Sequence, residues 1–322
     1  MTNQEKWKRL SAILDEAEAY GRAIGKLNFD MECCAPEEGM EQAGDDMALL
    51  GKHIHALTHS PEYAALVGEL HADGEGLSFA QRKTVEHLWE RYEKGKNITE
   101  EFDHAWSVAA NRAYGKWLTA KKASDFSLFR DSLAEVVDFT RKAIDLRDEK
   151  PATYYNACLD DTEKGGSEAQ MDAFFGALKE RIVPLMRRIQ AEGKPIREDF
   201  LTRPCPIPEQ ERFSHYLLEA EGLRKSALVL MTTEHPFTTE FGPHDVRVTT
   251  HYFEDNFISN IFSTLHEGGH ALFMQNEPEE FWREHTAGSM TSAMHECISR
   301  FYENIIGRSE AFLHFVYPKL QE

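Results

Sequence analysis

The stretch "NFISNIFSTLHEGGHALFMQ", residues 256–275, combines a helical apolar pattern with a His-Glu-Gly-Gly-His motif. Its apolar residues recur three or four positions apart and form one stripe on a helix. The members of the stripe are Phe257, Ile258, Ile261, Phe262, Leu265, Leu272 and Phe273. His266 and His270 fall at the margin of this stripe, where side chains are half buried. We therefore predict an amphipathic helix with two histidines on the edge of its buried face.

This histidine spacing is typical of a metal site. Residues four apart lie one above the other on a helix, so His266 and His270 can hold one zinc ion through neutral ring nitrogens. Positions then remain for a third ligand and for water, and Glu267 lies beside them as a general base. The motif favours a zinc hydrolase. Two surface histidines on an amphipathic helix are the alternative.

Most of the chain carries the same helical period, interrupted by short breaks rich in proline and glycine. "EKWKRLSAILDEAEAYGRAIGKL", residues 5–27, is an example. In contrast, "VRVTTHYF", residues 246–253, is β-branched and aromatic, which predicts a strand just before the metal-site helix. We predict a mainly α fold with a small β-sheet next to the metal-site helix. Residues 1–322 are expected to form one domain, with a helical part up to about 200 and a metal-site part over 201–322.

Composition narrows the partners and the compartment. The 322 residues include 36 basic and 55 acidic side chains, a net charge of −19, which argues against nucleic acid or an anionic membrane as the main partner. Five cysteines without scaffold spacing indicate free thiols in a reducing compartment. The N-terminus turns acidic before any apolar run, unlike a signal peptide, and no apolar run approaches the roughly 20 residues of a membrane span. We predict a cytoplasmic protein.

A second histidine pair provides an internal comparison. His55 and His59 are also four apart, with His53 nearby, but no glutamate follows the first of the pair. We interpret them as part of a solvated helix and not as a second metal site.

The third ligand of the first pair must come from elsewhere. The pattern HExxHxxGxxH is excluded, because Phe273 and Asn276 stand where its glycine and last histidine would be. The candidates further along the chain are Glu277, Glu279, Glu280, Glu284, His285 and Glu296. Glu296 lies in "SAMHECISRFYENIIGRS", residues 292–309, which predicts a second helix able to pack beside the first.

The apolar pattern of this second helix argues against Glu296. Its apolar stripe consists of Met294, Cys297, Ile298, Phe301 and Ile305. Glu296 falls on the opposite face, with Arg300 and Glu303. A solvated face is therefore the alternative, and Glu296 can be a ligand only if this polar face lines a cleft.

The order of the motifs resembles the carboxypeptidase Taq family, the thermostable metallocarboxypeptidases. That family carries HPF, D-x-R-x-T, HExxH and H-E-[SG]-Q motifs in this order. The corresponding residues are His235-Pro236-Phe237, Asp245, Arg247 and Thr249 in "DVRVT", His266 to His270, and His295-Glu296. "LNFDMECCAPEEGMEQAGDDMALLGKHIH", residues 27–55, is also similar to the family's Trp-Asp and Met-Pro-x-x-Gly region, with Phe29 for Trp and Ala35 for Met. The resemblance covers nearly the whole chain, and it implies a multi-helix zincin-like bundle and a single peptidase domain over residues 1–322.

The resemblance implies roles for individual residues. His266, His270 and Glu296 would bind the metal, and Glu267 would activate water. The remaining motif residues would shape the site, namely His235, Asp245, Arg247, Thr249 and His295. For Asp245 and Arg247 a salt bridge that steadies the strand is the alternative, and for His235 a turn-capping role.

The chain also departs from the family pattern. Cys297 and Ile298 follow Glu296 in place of the usual pair. The family's I/V-R-x-x-A-D motif, whose arginine is thought to hold the substrate's terminal carboxylate, and its G-x-x-Q-D-x-H-W motif are missing. We therefore expect a chain truncated at the C-terminus relative to the family, which binds metal but is only feebly active. Arg247 is a weak candidate for the carboxylate-binding role.

The predicted function is a metal-dependent carboxypeptidase that hydrolyses C-terminal residues from peptides. The predicted cofactor is one divalent ion, zinc first and cobalt second, and the predicted partners are peptides with a free C-terminus. The resemblance further suggests a homodimer. The alternatives are another zincin, an oligopeptidase or aminopeptidase, or a catalytically weak metal-binding fragment.

Overall fold

Helices dominate the computed structural model, which describes the backbone of all 322 residues and every side chain except that of Glu37. The described residues form thirteen α-helices and one three-stranded sheet, which confirms the predicted mainly α fold with a small sheet. The helices of the first half are α1 (Asn3–Cys33), α2 (Met40–Thr58), α3 (Pro61–Ala72), α4 (Phe79–Gly95), α5 (Glu100–Ala123) and α6 (Ser127–Asp145). The others are α7 (Tyr154–Thr162), α8 (Glu168–Glu192), α9 (Ile207–Ala220), α10 (Phe257–Gln275), α11 (Glu279–Arg283), α12 (Ser292–Arg300) and α13 (Glu310–Leu320). The strands are β1 (Leu228–Thr232), β2 (Thr238–Glu240) and β3 (Val246–Thr250).

Hydroxyl side chains begin many of these helices. The Thr2 side chain accepts a hydrogen bond from the Glu5 amide, and Glu5 bonds back to Thr2, which forms a capping box at the start of α1. Ser78 and Gln81 form the same arrangement at the start of α4. Such caps satisfy backbone amides that have no partner within the helix.

The chain forms two compact units, Met1–Lys150 with Pro278–Ala287, and Pro151–Glu277 with Gly288–Glu322. The prediction of a single peptidase domain stays a prediction. The core of the first unit contains aliphatic and aromatic side chains from α1, α3 and α4. Its buried members are Trp7, Leu10, Ile13, Leu14, Tyr63, Leu66, Val67, Leu70, Leu77, Val85 and Leu88.

The sheet belongs to the second unit, with the strand order β1-β3-β2. The central strand β3 runs parallel to β1 and antiparallel to β2, so that Arg247 pairs with Val229 on one side and with Thr239 on the other. The predicted strand over 246–253 is shorter in the structure because β1 ends at Thr232, the partner of Thr250. Beyond Thr250 the described backbone has no strand partner, and the Phe253 carbonyl instead accepts a hydrogen bond from the side-chain amide of Gln210.

The predicted metal-site helix is α10, which packs against β3 on one side and α9 on another. Two small cores fix it. Ile261 and Leu265 pack with Phe213, Leu217 and Val316. Ala271 packs with Leu218, Leu223, Val246 and Val248 from α9, the loop after it and β3.

Buried polar groups join the same elements in the part of α10 that precedes the histidines. Asn260 on α10 is buried, and its side chain bonds Ser214 of α9 and Thr250 at the end of β3. Thr264, also buried, bonds Asn260 in turn. Because buried polar groups are costly when unpaired, this network allows few alternative positions for α10.

The second predicted helix is α12, which continues as a π-helical segment over Phe301–Ile306. The apolar stripe predicted for this helix is not the face that packs against the rest of the protein. Ser299 and Glu303 are buried, whereas Met294, Phe301 and Ile305 are exposed. The hydrophobic pattern therefore indicated the wrong face. None of the helices among the described residues is long and apolar enough to cross a membrane.

Candidate metal centre

Three side chains converge between α10 and α12. Nε2 of His266 lies 3.7 Å from Glu296 Oε2, and Nε2 of His270 lies 3.8 Å from Glu296 Oε1. One ligand atom from each of the three residues lies within 4.8 Å of the other two. Zinc binds nitrogen and carboxylate oxygen at about 2.0–2.2 Å. These separations therefore fit donors arranged around a single cation.

Small residues bring the two helices this close. A Cβ added to Gly269 would lie 3.0 Å from the Cα of Ser299 and 3.2 Å from the Cβ of Tyr302. Ser299 itself is fully buried. The backbones of α10 and α12 thus touch one turn after Glu296, which places its carboxylate opposite the histidine edge of α10.

A buried carboxylate orients His266. Nδ1 of His266 lies 3.1 Å from Glu303 Oε2, which leaves Nε2 directed at Glu296. Arg300 and Arg308 also donate to Glu303, at 2.9 Å and 3.2 Å. Burial opposes ionisation of Glu303, but the hydrogen bonds from His266 and Arg308 outweigh it and lower its pKa. Glu303 is thus a carboxylate that can fix the ring of a metal ligand, as outer partners of metal-bound histidines do.

The second histidine is held in its neutral form. Burial, reinforced by the neighbouring His266, lowers the pKa of His270 to about 4. Neutral imidazole is the form that binds a metal ion. The ring lies 5.5 Å from that of His295, which packs edge-on against Phe273. Burial also lowers the pKa of His295.

The glutamate between the histidines is buried and anchored by the sheet. The Thr238 hydroxyl, on β2, lies 2.7 Å from Glu267 Oε2 and 3.0 Å from the Glu267 carbonyl oxygen. Burial raises the pKa of Glu267, and the hydrogen bond from Thr238 opposes this shift. A carboxylate with a raised pKa is a better proton acceptor than an ordinary glutamate.

Two of the three donor residues, His266 and Glu296, line an open cavity of about 620 Å³ together with Glu267. It is lined by His235, Pro236, Asn256, Ile258, Ser259, Phe262, Ser263, His266, Glu267, Glu296, Arg300, Glu303 and Arg308. The polar face of α12 therefore lines a cleft. This was the condition under which Glu296 could be a metal ligand.

Two of the predicted site-shaping residues support the cavity wall. Thr249 is fully buried, and its hydroxyl accepts a hydrogen bond from the Phe237 amide at 2.7 Å. The Thr233 hydroxyl lies within hydrogen-bond distance of both Thr249 and the His235 carbonyl. These bonds fix the His-Pro-Phe turn. His235 borders the cavity, whereas Thr249 is buried and supports the turn without lining the cavity.

Asp245 and Arg247 form the salt bridge that was the alternative to a site role. Arg247 donates to both carboxylate oxygens of Asp245, at 2.9 Å and 3.1 Å. The guanidinium also lies 4.9 Å from the ring centre of Phe241. Asp245 directly precedes β3 and Arg247 lies within it, and neither is among the described residues that line the cavity.

The other third-ligand candidates have different neighbours. His285 bonds Glu18 through Nδ1 at 2.7 Å and Ser11 through Nε2 at 2.9 Å, all within the first unit. Glu277 accepts a hydrogen bond from the Gly288 amide. His55 and His59 stack at 3.8 Å between ring centres. The group formed by His266, His270 and Glu296 is the metal-ligand cluster found among the described residues.

Comparison with known proteins identifies the family. A family model described as Carboxypeptidase Taq (M32) metallopeptidase matches residues 9–322. The chain belongs to this family. The predicted resemblance is thereby confirmed, and a divalent metal is what the family implies.

Relatives of known name support the same assignment. The chain is 33% identical to carboxypeptidase 1 of Bacillus subtilis over 317 residues, 98% of this chain and 63% of that protein. It is 34% identical to thermostable carboxypeptidase 1 of Pyrococcus furiosus over 323 residues, 99% of this chain and 64% of that protein. The BsuCP crystal structure superposes with a TM-score of 0.94 at 32% identity, covering 98% of this chain and 64% of that one. The chain thus spans a little under two thirds of the length of these carboxypeptidase Taq relatives.

The sequence assigned no role to two residues that hold the site in the structure. Thr238, which bonds Glu267, directly follows the His-Pro-Phe motif. This neighbourhood was the signal in the sequence that Thr238 could lie near the site. Glu303, which holds His266, lies seven residues after Glu296 and therefore on the same face of the helix. The sequence thus placed Glu303 on the polar face beside Glu296, but nothing in the helical period indicated its contact with His266.

Proposed function

We propose that this chain carries the metal centre of a metallocarboxypeptidase, which releases residues one at a time from the C-terminus of peptides. The observation that carries the proposal is the convergence of His266, His270 and Glu296, with the buried carboxylate of Glu267 beside them. The names of the relatives supply the reaction class, since both are carboxypeptidases.

The proposed cofactor is one zinc ion, bound by His266, His270 and Glu296. Two histidines and one carboxylate form a donor set typical of catalytic zinc, and cobalt is the second candidate. The ion would polarise the scissile carbonyl and lower the pKa of a water molecule. Glu303 would keep the His266 ring in the tautomer that presents Nε2 to the metal.

Glu267 is the proposed general base. Its carboxylate would accept a proton from the attacking water and deliver it to the nitrogen of the leaving amino acid. Two features support this role: the bond from Thr238 fixes the carboxylate, and burial raises its pKa. His235 lies on the wall of the same cavity and would contact the substrate.

The remaining parts of the proposal concern surroundings and assembly. The five cysteines are free thiols, which supports a cytoplasmic location. The proposed homodimer rests on the family resemblance alone.

The test combines metal analysis with three peptides of identical sequence. One peptide has an acetylated N-terminus and a free C-terminus, the second has a free N-terminus and an amidated C-terminus, and the third is blocked at both ends. We expect one bound ion per chain and stepwise trimming of the first peptide only, followed by mass spectrometry. The Glu267→Gln variant should keep the ion and lose about 10²–10⁴-fold in rate. Glu219→Gln, which replaces an exposed glutamate on α9, is the matched control and should retain full activity.

Two results would contradict the proposal. Trimming of the amidated peptide from its free N-terminus would identify an aminopeptidase that shares the metal centre. Failure to bind zinc or cobalt in stoichiometric amount would exclude the metal centre itself.

A further inference from the structure

The first unit contains a cavity of its own, of about 450 Å³, between α1, α2 and α5. It is lined by Gly21, Ile24, Gly25, Asn28, Met47, Ala48, Gly51, Lys52, Asp103, His104, Ser107 and Asn111. All of these residues precede residue 112, so the cavity shares no lining residue with the metal centre. Its volume lies within the range of small-molecule sites, about 300–1,000 Å³.

Glycines within helices keep this cavity open. Gly21 and Gly25 lie within α1 and Gly51 lies within α2, positions where glycine is less favourable than alanine. A Cβ added at Gly21 or Gly51 would meet nothing within 4 Å, so close packing does not require a glycine at either position. These two glycines therefore leave space where side chains would otherwise stand.

The polar lining offers charges of both signs. Lys52 lies 3.4 Å from Glu100, and Asp103 lies 3.7 Å from Nδ1 of His55. Neither contact is a short hydrogen bond, so both charged groups retain capacity for a closer partner. His104 adds a ring whose Nδ1 is buried without a hydrogen-bond partner.

Hydrogen-bonding and apolar groups complete the lining. Asn28, Ser107 and Asn111 provide uncharged donors and acceptors, and Ile24 and Met47 provide apolar surface. An ammonium group would bind near Asp103, a carboxylate near Lys52, and a hydrocarbon side chain along the aliphatic residues. We propose that this cavity is a second small-molecule site, which takes a free α-amino acid with an apolar side chain. This site goes beyond the proposed function and does not depend on a bound metal.

Isothermal titration of the full chain with leucine tests the proposal. The probes are leucine, N-acetylleucine, which lacks the ammonium group, and leucine amide, which lacks the carboxylate. We expect saturable binding of leucine at about 1 mM or tighter, and at least tenfold weaker binding of both derivatives. A chelator added in excess should leave the leucine isotherm unchanged, which distinguishes this site from the metal centre even if the proposed peptidase activity is wrong.

Matched glycine variants locate the site. Gly51→Leu should fill the cavity and weaken leucine binding at least tenfold, while the melting temperature stays the same or rises. Gly115→Leu is the control, because Gly115 also lies within a helix with open space around its Cβ but does not line the cavity. It should bind leucine like the unmodified chain. Gly21→Leu repeats the test from α1 if the Gly51 variant does not fold.

Charge variants test the proposed orientation. Lys52→Met should remove the preference for leucine over leucine amide, and Asp103→Asn should remove the preference for leucine over N-acetylleucine. The proposal is overturned if leucine shows no saturable binding, if the derivatives bind equally well, or if Gly51→Leu and Gly115→Leu bind leucine alike.

Discussion

The helices α10 and α8 are both amphipathic but have opposite environments. Nine of the 19 residues of α10 are buried, whereas none of the 25 described residues of α8 is. Leu265 on α10 is 1% exposed, and Leu185 and Ile189 on α8 are 45% and 59% exposed. Both helices follow from the period of their apolar residues. The difference teaches that the period predicts the helix but not what covers its apolar side.

Small and polar residues account for the burial of α10. Gly269 admits the backbone of Ser299, and Asn260 and Thr264 supply hydrogen bonds within the buried face. On α8 the apolar side chains are large aliphatic and aromatic ones, and many of them are exposed. We therefore expect substitutions on the metal-site helix α10 to be poorly tolerated and substitutions on α8 to be well tolerated.

The largest expected effect comes from removing a buried leucine on α10. Leu265→Ala should lower the free energy of unfolding by about 2–5 kcal/mol, because it leaves a cavity in the core with Phe213 and Leu217. Leu185→Ala on α8 is the matched control and should change it by less than about 0.5 kcal/mol. Urea unfolding followed by tryptophan fluorescence measures both. Equal losses in the two variants would show that the two helices are not differently buried.

The second expected effect concerns the carboxylate behind His266. Glu303→Gln should weaken metal binding by about 10–100-fold, since a carboxamide supports the imidazole less well than a carboxylate. Glu180→Gln, an exposed position on α8, should leave the affinity unchanged. Competition with a chelator of known affinity measures the metal affinity of each variant. Unchanged affinity in the Glu303 variant would mean that this bond only packs the helix.

The sequence predicted the histidine pair and its helix directly, because spacing on a helix is a local property. The structure brings Glu296 to this pair, as the resemblance implied, although the apolar stripe of its helix argued for a solvated face. The stripe misled because helix contact at Gly269 and Ser299 depends on small size, which hydrophobicity does not measure. Only the glycine pair within the motif signalled this close approach.

Long-range hydrogen bonds were beyond local reasoning. Thr238 reaches Glu267 across 29 positions of the chain, and Glu303 reaches His266 across 37. Neither contact follows from a helical or strand period. Likewise, β1 and β2 were not located in advance, because the short runs that form them become strands by pairing with β3.

The third expected effect is a pH dependence of stability near the sheet. Burial, reinforced by the negative charge of Glu277, raises the pKa of Glu240 from 4.5 to about 7. The folded state thus disfavours the ionised form, so the free energy of unfolding should fall as the pH rises from about 4.5 to about 7. Glu240→Gln removes this loss and should be more stable than the unmodified chain by about 1–2 kcal/mol at pH 8 but not at pH 4.

Thermal melts at pH 4, 6 and 8 measure this dependence. Glu180→Gln on α8 is again the control, and its stability difference from the unmodified chain should be the same at each pH. If Glu240→Gln gained stability equally at pH 4 and pH 8, ionisation of this carboxyl would not be the cause.

The smallest expected effect lies on α8 itself. Phe174 and Phe175 are 58% and 50% exposed, and the centres of their rings lie 5.3 Å apart. Phe175→Ser should change the free energy of unfolding by less than about 1 kcal/mol, because half of this side chain stays in water in the folded state. The same change removes part of an exposed apolar surface and should reduce self-association in sedimentation experiments. A loss of more than about 1 kcal/mol, measured by urea unfolding, would instead show that this face of α8 is covered in solution and would end the contrast with α10.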